Sequence, residues 1–253
     1  MVLPSAGSDA LSDGERLAIA AELNLSETAF PGLPGAGGRA RLRWFTPTTE
    51  VSLCGHATLA TAHVLLAEGF AEPPLTFDSL SGPLSVDRTE EGLLRLDFPS
   101  DPPSERATPD GLMEALGLPG GTPFFSGERC ALVPVEDEAA LVAVAPAMEA
   151  LGRVRLPPGV MGVSVTAPGA EPGVDFVSRF FGPWVGVPED PVTGMAHTVL
   201  GPWWAARLGR DELEARQRSR RGGALRVQVR GDRTELLGRA VTVARGVLLL
   251  PGE

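Results

Sequence analysis

The chain has 253 residues, 43% of them hydrophobic and 21% charged, with a formal net charge of −10 at pH 7. This composition is typical of a globular domain and excludes a disordered chain. The acidic charge argues against a nucleic-acid or anionic-membrane surface, although a locally positive cleft could still bind a small anion. All 22 basic residues are Arg and Tyr is absent, so neither a Lys amine nor a phenol can serve in catalysis.

The sequence contains no recognisable targeting or membrane-spanning segment. No run approaches the ~18 apolar residues that a membrane span needs, and the start, MVLPSAGSDA, has no basic region followed by an apolar one. Cys54 and Cys130 are too few for a disulfide framework. We therefore expect a cytoplasmic protein without a membrane partner.

The first half is predicted to contain one surface helix, one buried helix and several strands. Ser12 and Glu15 form a capping-box pattern for a helix over 12–23. A second helix over 56–68 is apolar on nearly all sides, which is typical of a buried helix. The motif GAGGRA over 35–40 is interpreted as a hairpin loop because it leads into a strand and not into a helix. Extended segments are predicted over 27–31, 40–46, 51–54, 74–78, 83–88 and 93–98.

The second half repeats this layout after a Pro-rich linker over 99–109. A second buried helix begins at Gly194, ends at Gly209, and contains Pro202, which should kink it. Shorter helices are predicted over 110–117 and within 137–151, and strands near 123–126, 129–135, 160–166, 174–181, 224–230, 234–243 and 246–250. Many strands and one buried helix in each half predict a duplicated α+β fold and not a βαβ array.

Both buried helices begin with a glycine, Gly55 and Gly194. A helix start carries a partial positive charge and unpaired N–H groups, and glycine lets a ligand approach them closely. If the two starts face one cleft, they form a carboxylate-binding site that needs no Lys. The alternative, that glycine merely begins each helix, stays open from the residues alone.

Three side chains near these helices could carry proton chemistry. His56 follows Gly55, where the helix dipole is expected to lower the imidazole pKa and favour the neutral form. Glu27 in NLSETAF and Asp190 in PEDPVTG also fit the commoner roles of a solvated carboxylate and a turn residue. Cys54 and His56 are too close in sequence to suggest a metal site, and we expect none.

Three blocks, NLSETAF, RWFTPTTEVSLCGHATLATAHVLL and PEDPVTGMAH, resemble the phenazine-biosynthesis (PhzF-like) isomerase family, as does the closing GRAVTVARGVLLL. The resemblance implies a diaminopimelate epimerase-like fold, in which two pseudo-symmetric domains each wrap a mostly antiparallel sheet around a central helix. We place the domains at 1–104 plus 244–253 and at 105–243. Members of the family are usually homodimers and need no cofactor.

The family's best-known activity is the isomerisation of trans-2,3-dihydro-3-hydroxyanthranilate, in which a carboxylate moves a proton between carbons. By resemblance, that carboxylate falls on Glu27, and the assisting residues fall on His56 and Asp190. Gly55 and Gly194 would supply N–H groups to the substrate carboxylate. Glu27 then needs a raised pKa, which a water-poor cleft can supply.

The sequence departs from the family at two places. Met195 stands where the family usually has a Ser, so a hydroxyl donor is replaced by a thioether, which suggests a more apolar ligand or an altered reaction at this substrate-contacting position. The family's first strand, similar to V-D-A-F, is expected to be missing, through truncation or a misassigned start.

The leading hypothesis is a cofactor-independent isomerase or epimerase that acts on a small carboxylate. The alternative is a non-catalytic ligand-binding or interaction protein on the same scaffold. A two-cysteine racemase is the weakest alternative, because the facing positions are expected to carry His56 and Met195.

Overall fold

The computed structural model of the protein describes residues 1–2, 11–35 and 37–249. In the first half of this part lie α1 (Asp13–Leu23), β1 (Thr28–Pro31), β2 (Arg39–Phe45), β3 (Glu50–Val51), α2 (Gly55–Ala67), β4 (Leu75–Ser79), β5 (Gly82–Arg88) and β6 (Leu94–Pro99). In the second half lie β7 (Ser104–Glu105), α3 (Leu112–Leu116), β8 (Phe125–Ser126), β9 (Cys130–Pro134), α4 (Glu138–Ala143), α5 (Met148–Arg153), β10 (Gly162–Pro168), β11 (Phe176–Gly182), β12 (Val187–Asp190), α6 (Gly194–Leu208), β13 (Glu212–Gln217), β14 (Gly223–Arg230) and β15 (Arg233–Gly238).

The described strands form one long sheet that crosses both halves of the chain. Its order is β1-β2-β4-β5-β6-β15-β14-β13-β11-β10-β9-β8-β7, with β3 beside β2 and β12 beside β11. The halves join where β6 pairs antiparallel with β15. Among the described strands only β2–β4, β9–β10 and β11–β13 pair in parallel. The predicted α+β class with a mostly antiparallel sheet is therefore confirmed.

The main hydrophobic core packs α2 and α6 against the sheet. It contains Leu65 of α2, Trp204 of α6 and Phe98 of β6, so it crosses the junction between the halves. A second core lies under α3, α4 and α5 and contains Val133 and Phe181, whereas the neighbouring Leu132 and Phe180 belong to the first. Because successive side chains of a strand point to opposite faces, the second half of the sheet is covered on both faces.

The predicted capping box at α1 is present. The N–H of Glu15 donates to Oγ of Ser12 at 3.3 Å, and the N–H of Ser12 donates to Oε2 of Glu15 at 2.7 Å. These bonds satisfy two donors that the helix itself cannot pair. The hairpin expected around 35–40 is also present, since β1 and β2 pair antiparallel on either side of it, while residue 36 lies outside the described residues.

The expected strand over 246–250 is wrong for 246–249, which adopt no regular structure, and residue 250 lies outside the described residues. The strand expected over 234–243 ends at Gly238. Val243 and Leu249 are 93% and 88% exposed. β-branched and apolar residues favour strands only where a neighbouring strand can pair with them, and no described strand pairs with this segment.

The segment after β15 nevertheless lies against α2. Nη2 of Arg245 is 2.5 Å from Oε1 of Glu68, and Nε2 of His63 is 3.2 Å from Oγ1 of Thr242. The domain boundaries given above stay a prediction. Across the described residues, every helix is too short or too polar to cross a membrane.

Candidate active site

The N-terminal ends of the two buried helices meet directly. A β-carbon built on Gly55 lies 3.0 Å from Cα of Gly194, and one built on Gly194 lies 3.1 Å from Cα of Gly55. The N-cap residues, Cys54 and Thr193, make no side-chain capping bond to their helices. Two sets of helix N–H groups are thus concentrated in one small region, where both helix dipoles favour an anion.

Glu27 and His56 form the closest pair of titratable side chains beside these helix ends. Glu27 directly precedes β1, and His56 is the second residue of α2. Nε2 of His56 lies 3.1 Å from Oε2 of Glu27 and 3.4 Å from Oγ of Ser26. Oε2 of Glu27 accepts no well-aligned hydrogen bond from the part of the chain that the structure describes. That oxygen is therefore in contact with a cation but keeps acceptor capacity for a proton.

Asp190, the last residue of β12, lies on the other side of the imidazole. Its Oδ2 is 3.8 Å from Nδ1 of His56, which is too long for a hydrogen bond but close enough for strong electrostatic attraction. The hydroxyl of Thr193 donates to Oδ2 at 2.5 Å. His56 is therefore placed between two carboxylates that come from distant parts of the chain.

Gln217, at the end of β13, holds the loop that enters α6, and the sequence analysis missed it. Its Nε2 donates to the carbonyl of Asp190 at 2.7 Å, and its Oε1 accepts the N–H of Thr193 at 2.8 Å. The side chain is 1% exposed. The only local signal is one Gln in the polar run RQRSRR, which does not distinguish a buried anchor from a surface residue.

The charge state of His56 differs from the expectation. Burial by itself lowers the pKa of His56, but Cys54 and the carboxylates of Glu27 and Asp190 outweigh it and raise the pKa well above its ordinary value. The expected lowering by the helix dipole is therefore wrong. The contacts of the imidazolium with Cys54 and the two carboxylates together outweigh the effect of burial.

The two carboxylates are shifted in opposite directions. Burial raises the pKa of Glu27, but the close contact with His56 and its charge, with Ser26 and Cys54, lower it below its ordinary value overall. The pKa of Asp190 is raised, mainly by burial and also by the charge of Glu27. The expected raised pKa of Glu27 is wrong for this arrangement. Glu27 is an ionised base paired with an imidazolium.

Met195 and His56, each the second residue of its helix, line different cavities. Met195 is 7% exposed and lines a cavity of about 880 Å³ together with Leu53 and Phe98. His56, Gly55 and Gly194 line a different cavity of about 460 Å³. The structure therefore brings together Glu27, His56, Asp190 and the two glycines, and turns Met195 toward the neighbouring space.

Cys54 adds a thiol to the group. Its Sγ is 3.7 Å from Nδ1 of His56, and ligand atoms of Glu27, Cys54 and His56 lie within 4.8 Å of one another, so these three could hold a metal ion. Burial and the charge of Glu27 raise the pKa of Cys54 to about 11. Since metals bind the thiolate, a metal ion at this position would have to displace the thiol proton.

The chain matches known proteins over nearly its whole length. Residues 2–246 match the family model PhzC-PhzF, phenazine biosynthesis-like protein. An uncharacterized isomerase of Pseudomonas aeruginosa is 51% identical over 244 residues, which cover 96% of this chain and 90% of that protein. The crystal structure of a phenazine biosynthesis protein of the PhzF family from Enterococcus faecalis is 41% identical, with a TM-score of 0.84, over 95% of this chain and 89% of that one.

A more distant structure extends the likeness of the fold. The structure of a predicted epimerase from Pseudomonas aeruginosa is 24% identical, with a TM-score of 0.71, and covers 96% of this chain and 91% of that chain. At this level of identity the match supports the fold alone. The match to the family model, by contrast, spans the segments that carry the glycines, His56 and Asp190. The protein belongs to the phenazine biosynthesis-like family, the PhzC-PhzF family.

Proposed function

We propose that the protein is a cofactor-independent isomerase or epimerase that moves a proton between carbons of a small carboxylate. The relative named as an isomerase supports the reaction class. The observation that carries the proposal is the contact of Glu27 with His56, 3.1 Å between Oε2 and Nε2, beside the paired helix ends. His56 thereby supplies a proton donor, Glu27 a base, and the N–H groups of the two helix ends a surface that binds an anion.

In the proposed reaction, the substrate carboxylate rests against the N–H groups at Gly55 and Gly194. The carboxylate of Glu27 removes a proton from a carbon, and the electron pair left behind is delocalised into the adjacent unsaturated or carboxylate group. Glu27 then returns the proton to a second carbon, or to the opposite face of the same centre. No electrons leave the substrate, so the step needs no redox partner.

His56 and Asp190 support this cycle without being the base. The imidazolium of His56 stabilises the negative charge that develops on the substrate, and it keeps Glu27 ionised until the substrate binds. Binding of an anion and exclusion of water would raise the pKa of Glu27, so that its carboxylate becomes a stronger base toward the C–H proton of the substrate. Asp190 positions the imidazole from its other side.

The test is proton exchange in D₂O. A panel of small unsaturated carboxylates is incubated with the protein, and deuterium at carbon is followed by NMR. We expect Glu27→Gln to reduce exchange by about 10³-fold or more. Glu22→Gln, which changes an exposed carboxylate on α1, is the matched control and should exchange at the unsubstituted rate. Unchanged exchange in Glu27→Gln contradicts the proposal.

Two other functions make different predictions. A non-catalytic binding protein would bind carboxylates without any exchange, and Glu27→Gln would then change nothing in D₂O. A two-thiol racemase needs a second cysteine beside Cys54, but Cys130 lies on β9, 3.4 Å from Oγ of Ser164. The homodimer and the cytoplasmic location stay predictions, and light scattering checks the first.

A further inference from the structure

The cavity that touches His56 is lined with positive charge on an acidic protein. It has a volume of about 460 Å³ and is bounded by the two helix ends and by the β13–β14 hairpin. Among the described residues that line it there is no Asp or Glu, whereas Arg221 and Arg239 are both present. The chain as a whole has a net charge of −10, so the charge of this wall is opposite in sign to that of the whole chain.

Arg221, in the turn between β13 and β14, is the cation of this wall that lacks a partner. It is exposed, and within the described ranges its guanidinium makes no hydrogen bond or ion pair. Arg218 in the same turn lies 2.5 Å from Oε1 of Glu138 and 2.7 Å from Oε1 of Glu171. Arg239 donates to the carbonyl of Glu91 at 3.3 Å. Arg221 is therefore free to bind a ligand.

The charge of Arg221 also reaches the candidate active site. Burial is the main cause of the raised pKa of Asp190, and the nearby guanidinium of Arg221 is one of the influences that oppose it. The hairpin is held against the loop that enters α6, because Oγ of Ser219 donates to the carbonyl of Pro191 at 2.7 Å. The turn that carries Arg221 thus has a fixed position relative to Asp190 and the helix ends.

The rest of the cavity wall is apolar. Leu59 of α2, Phe98 of β6 and Leu236 of β15 contribute, as does Val192 before α6. If an anionic group of a ligand binds at the charged end of the cavity, the rest of that ligand contacts these apolar side chains. This arrangement favours a ligand with a carboxylate and a compact apolar body over a highly hydroxylated one.

We propose that Arg221, together with the N–H groups at Gly55 and Gly194, binds the substrate carboxylate, and that the rest of the substrate is a compact apolar body. The inference rests on the proposed function for the identity of the site, and it adds the residue and the ligand class. A guanidinium presents two parallel N–H donors to a carboxylate, so it fixes the direction of the carboxylate as well as holding it. Arg221 would thereby orient the apolar body toward Glu27 and His56.

The experiment uses benzoate as the probe and benzamide as its neutral counterpart, in ligand-observed NMR titrations. We expect Arg221→Gln to weaken benzoate binding by about three- to tenfold, as for one partly exposed charge-assisted contact, and to leave benzamide binding unchanged. Arg220→Gln is the matched control, since it removes the same charge from the same turn but does not line the cavity. Equal benzoate affinity in Arg221→Gln and the unsubstituted protein overturns the proposal, as does absence of benzoate binding to the latter.

A second variant separates this inference from the proposed function. Glu27→Gln should keep benzoate binding, because Glu27 repels an anion and does not hold it. If Glu27→Gln keeps deuterium exchange while Arg221→Gln loses benzoate affinity, the assignment of the base fails and that of Arg221 stands. If Glu27→Gln loses exchange while Arg221→Gln binds benzoate normally, only the inference about Arg221 fails. Once a substrate is known, Arg221→Gln should raise KM more than it lowers kcat.

Discussion

The two buried helices occupy equivalent places in the two halves but do different work. α6 is held on many sides: Trp204 stacks on Phe176 with ring centroids 5.5 Å apart and donates from Nε1 to Oγ1 of Thr166 at 2.9 Å. Nδ1–H of His197 donates to the carbonyl of Thr193 at 2.7 Å. The end of α2, in contrast, carries His56, an imidazolium between two carboxylates.

This difference indicates that the second half anchors the site while the first half supplies the base Glu27 and its cationic partner His56. Burial lowers the pKa of His197 to about 4, so it stays neutral as a structural residue. His56 is half-buried, and its pKa is raised because Cys54 and two carboxylates face it. The histidine of α6 is therefore neutral and that of α2 is charged, because the surroundings of the two imidazoles differ.

The largest expected effect is a loss of activity, and it distinguishes the second residue of α2 from the second residue of α6. We expect His56→Gln to reduce isomerase activity by about 10²- to 10³-fold, because it removes the cation beside Glu27. Met195→Leu conserves volume and should change activity by less than about threefold. Activity is measured as deuterium exchange, and circular dichroism verifies the fold. A loss in Met195→Leu equal to that in His56→Gln would show that both helix ends react with substrate.

The next effect concerns the contact of the two helix ends. Gly55→Ala and Gly194→Ala each place a methyl group about 3 Å from the opposite backbone, so the helices must separate. We expect activity to fall by about ten- to hundredfold and stability by about 1–3 kcal/mol. Gly14→Ala on α1, where the added carbon meets nothing within 4 Å, is the control and should not destabilise the protein. Unchanged activity in both Gly55→Ala and Gly194→Ala would contradict the close contact of the two helix ends.

A smaller effect tests the anchoring role of α6. Trp204→Phe removes the hydrogen bond to Thr166 and part of the stack on Phe176, and we expect it to lower the free energy of unfolding by about 2 kcal/mol in urea. Trp184→Phe loses a comparable bond, from Nε1 to the carbonyl of Val154 at 2.8 Å, but from a half-buried side chain. Its loss of stability should therefore be smaller. Equal losses would argue against a special role for α6.

The smallest effect is a change in titration. The carboxylate of Glu27 helps to raise the pKa of His56, so Glu27→Gln should lower that pKa. A histidine with a raised folded pKa adds stability below about pH 6.5 and loses it as the pH rises through the folded value. Unfolding at pH 6 and pH 9 should therefore differ less in Glu27→Gln. NMR titration of the imidazole measures the shift directly.

Much of the architecture was predictable from local patterns. The capping box at Ser12, the apolar faces of α2 and α6, and most strand segments are encoded in residues close together in the chain, where capping and periodicity act. The segment over 246–250 shows the limit of this reasoning. Its apolar residues favour a strand, but a strand also needs a pairing partner, which local sequence does not reveal.

Within the site, sequence motifs singled out Glu27, His56 and Asp190, whereas nothing drew attention to Gln217 or Arg221. Gln217 matters because the fold places the end of β13 beside the entry to α6. Arg221 stands out because it lines the cavity beside the helix ends, whereas Arg218 of the same turn is paired with Glu138 and Glu171. Both properties depend on residues tens of positions away, so no pattern within a short window carries them.

The amino-acid sequence by itself determined the main helices, most of the strands, the family and the identity of the candidate base. The tertiary structure decided which ionisable side chains lie in contact, and these contacts set the direction of each pKa shift. Electrostatic energy depends on separation and on burial, and these are set by the packing of distant segments. For that reason the imidazolium of His56 and the ionised state of Glu27 emerge from the fold and not from the motifs.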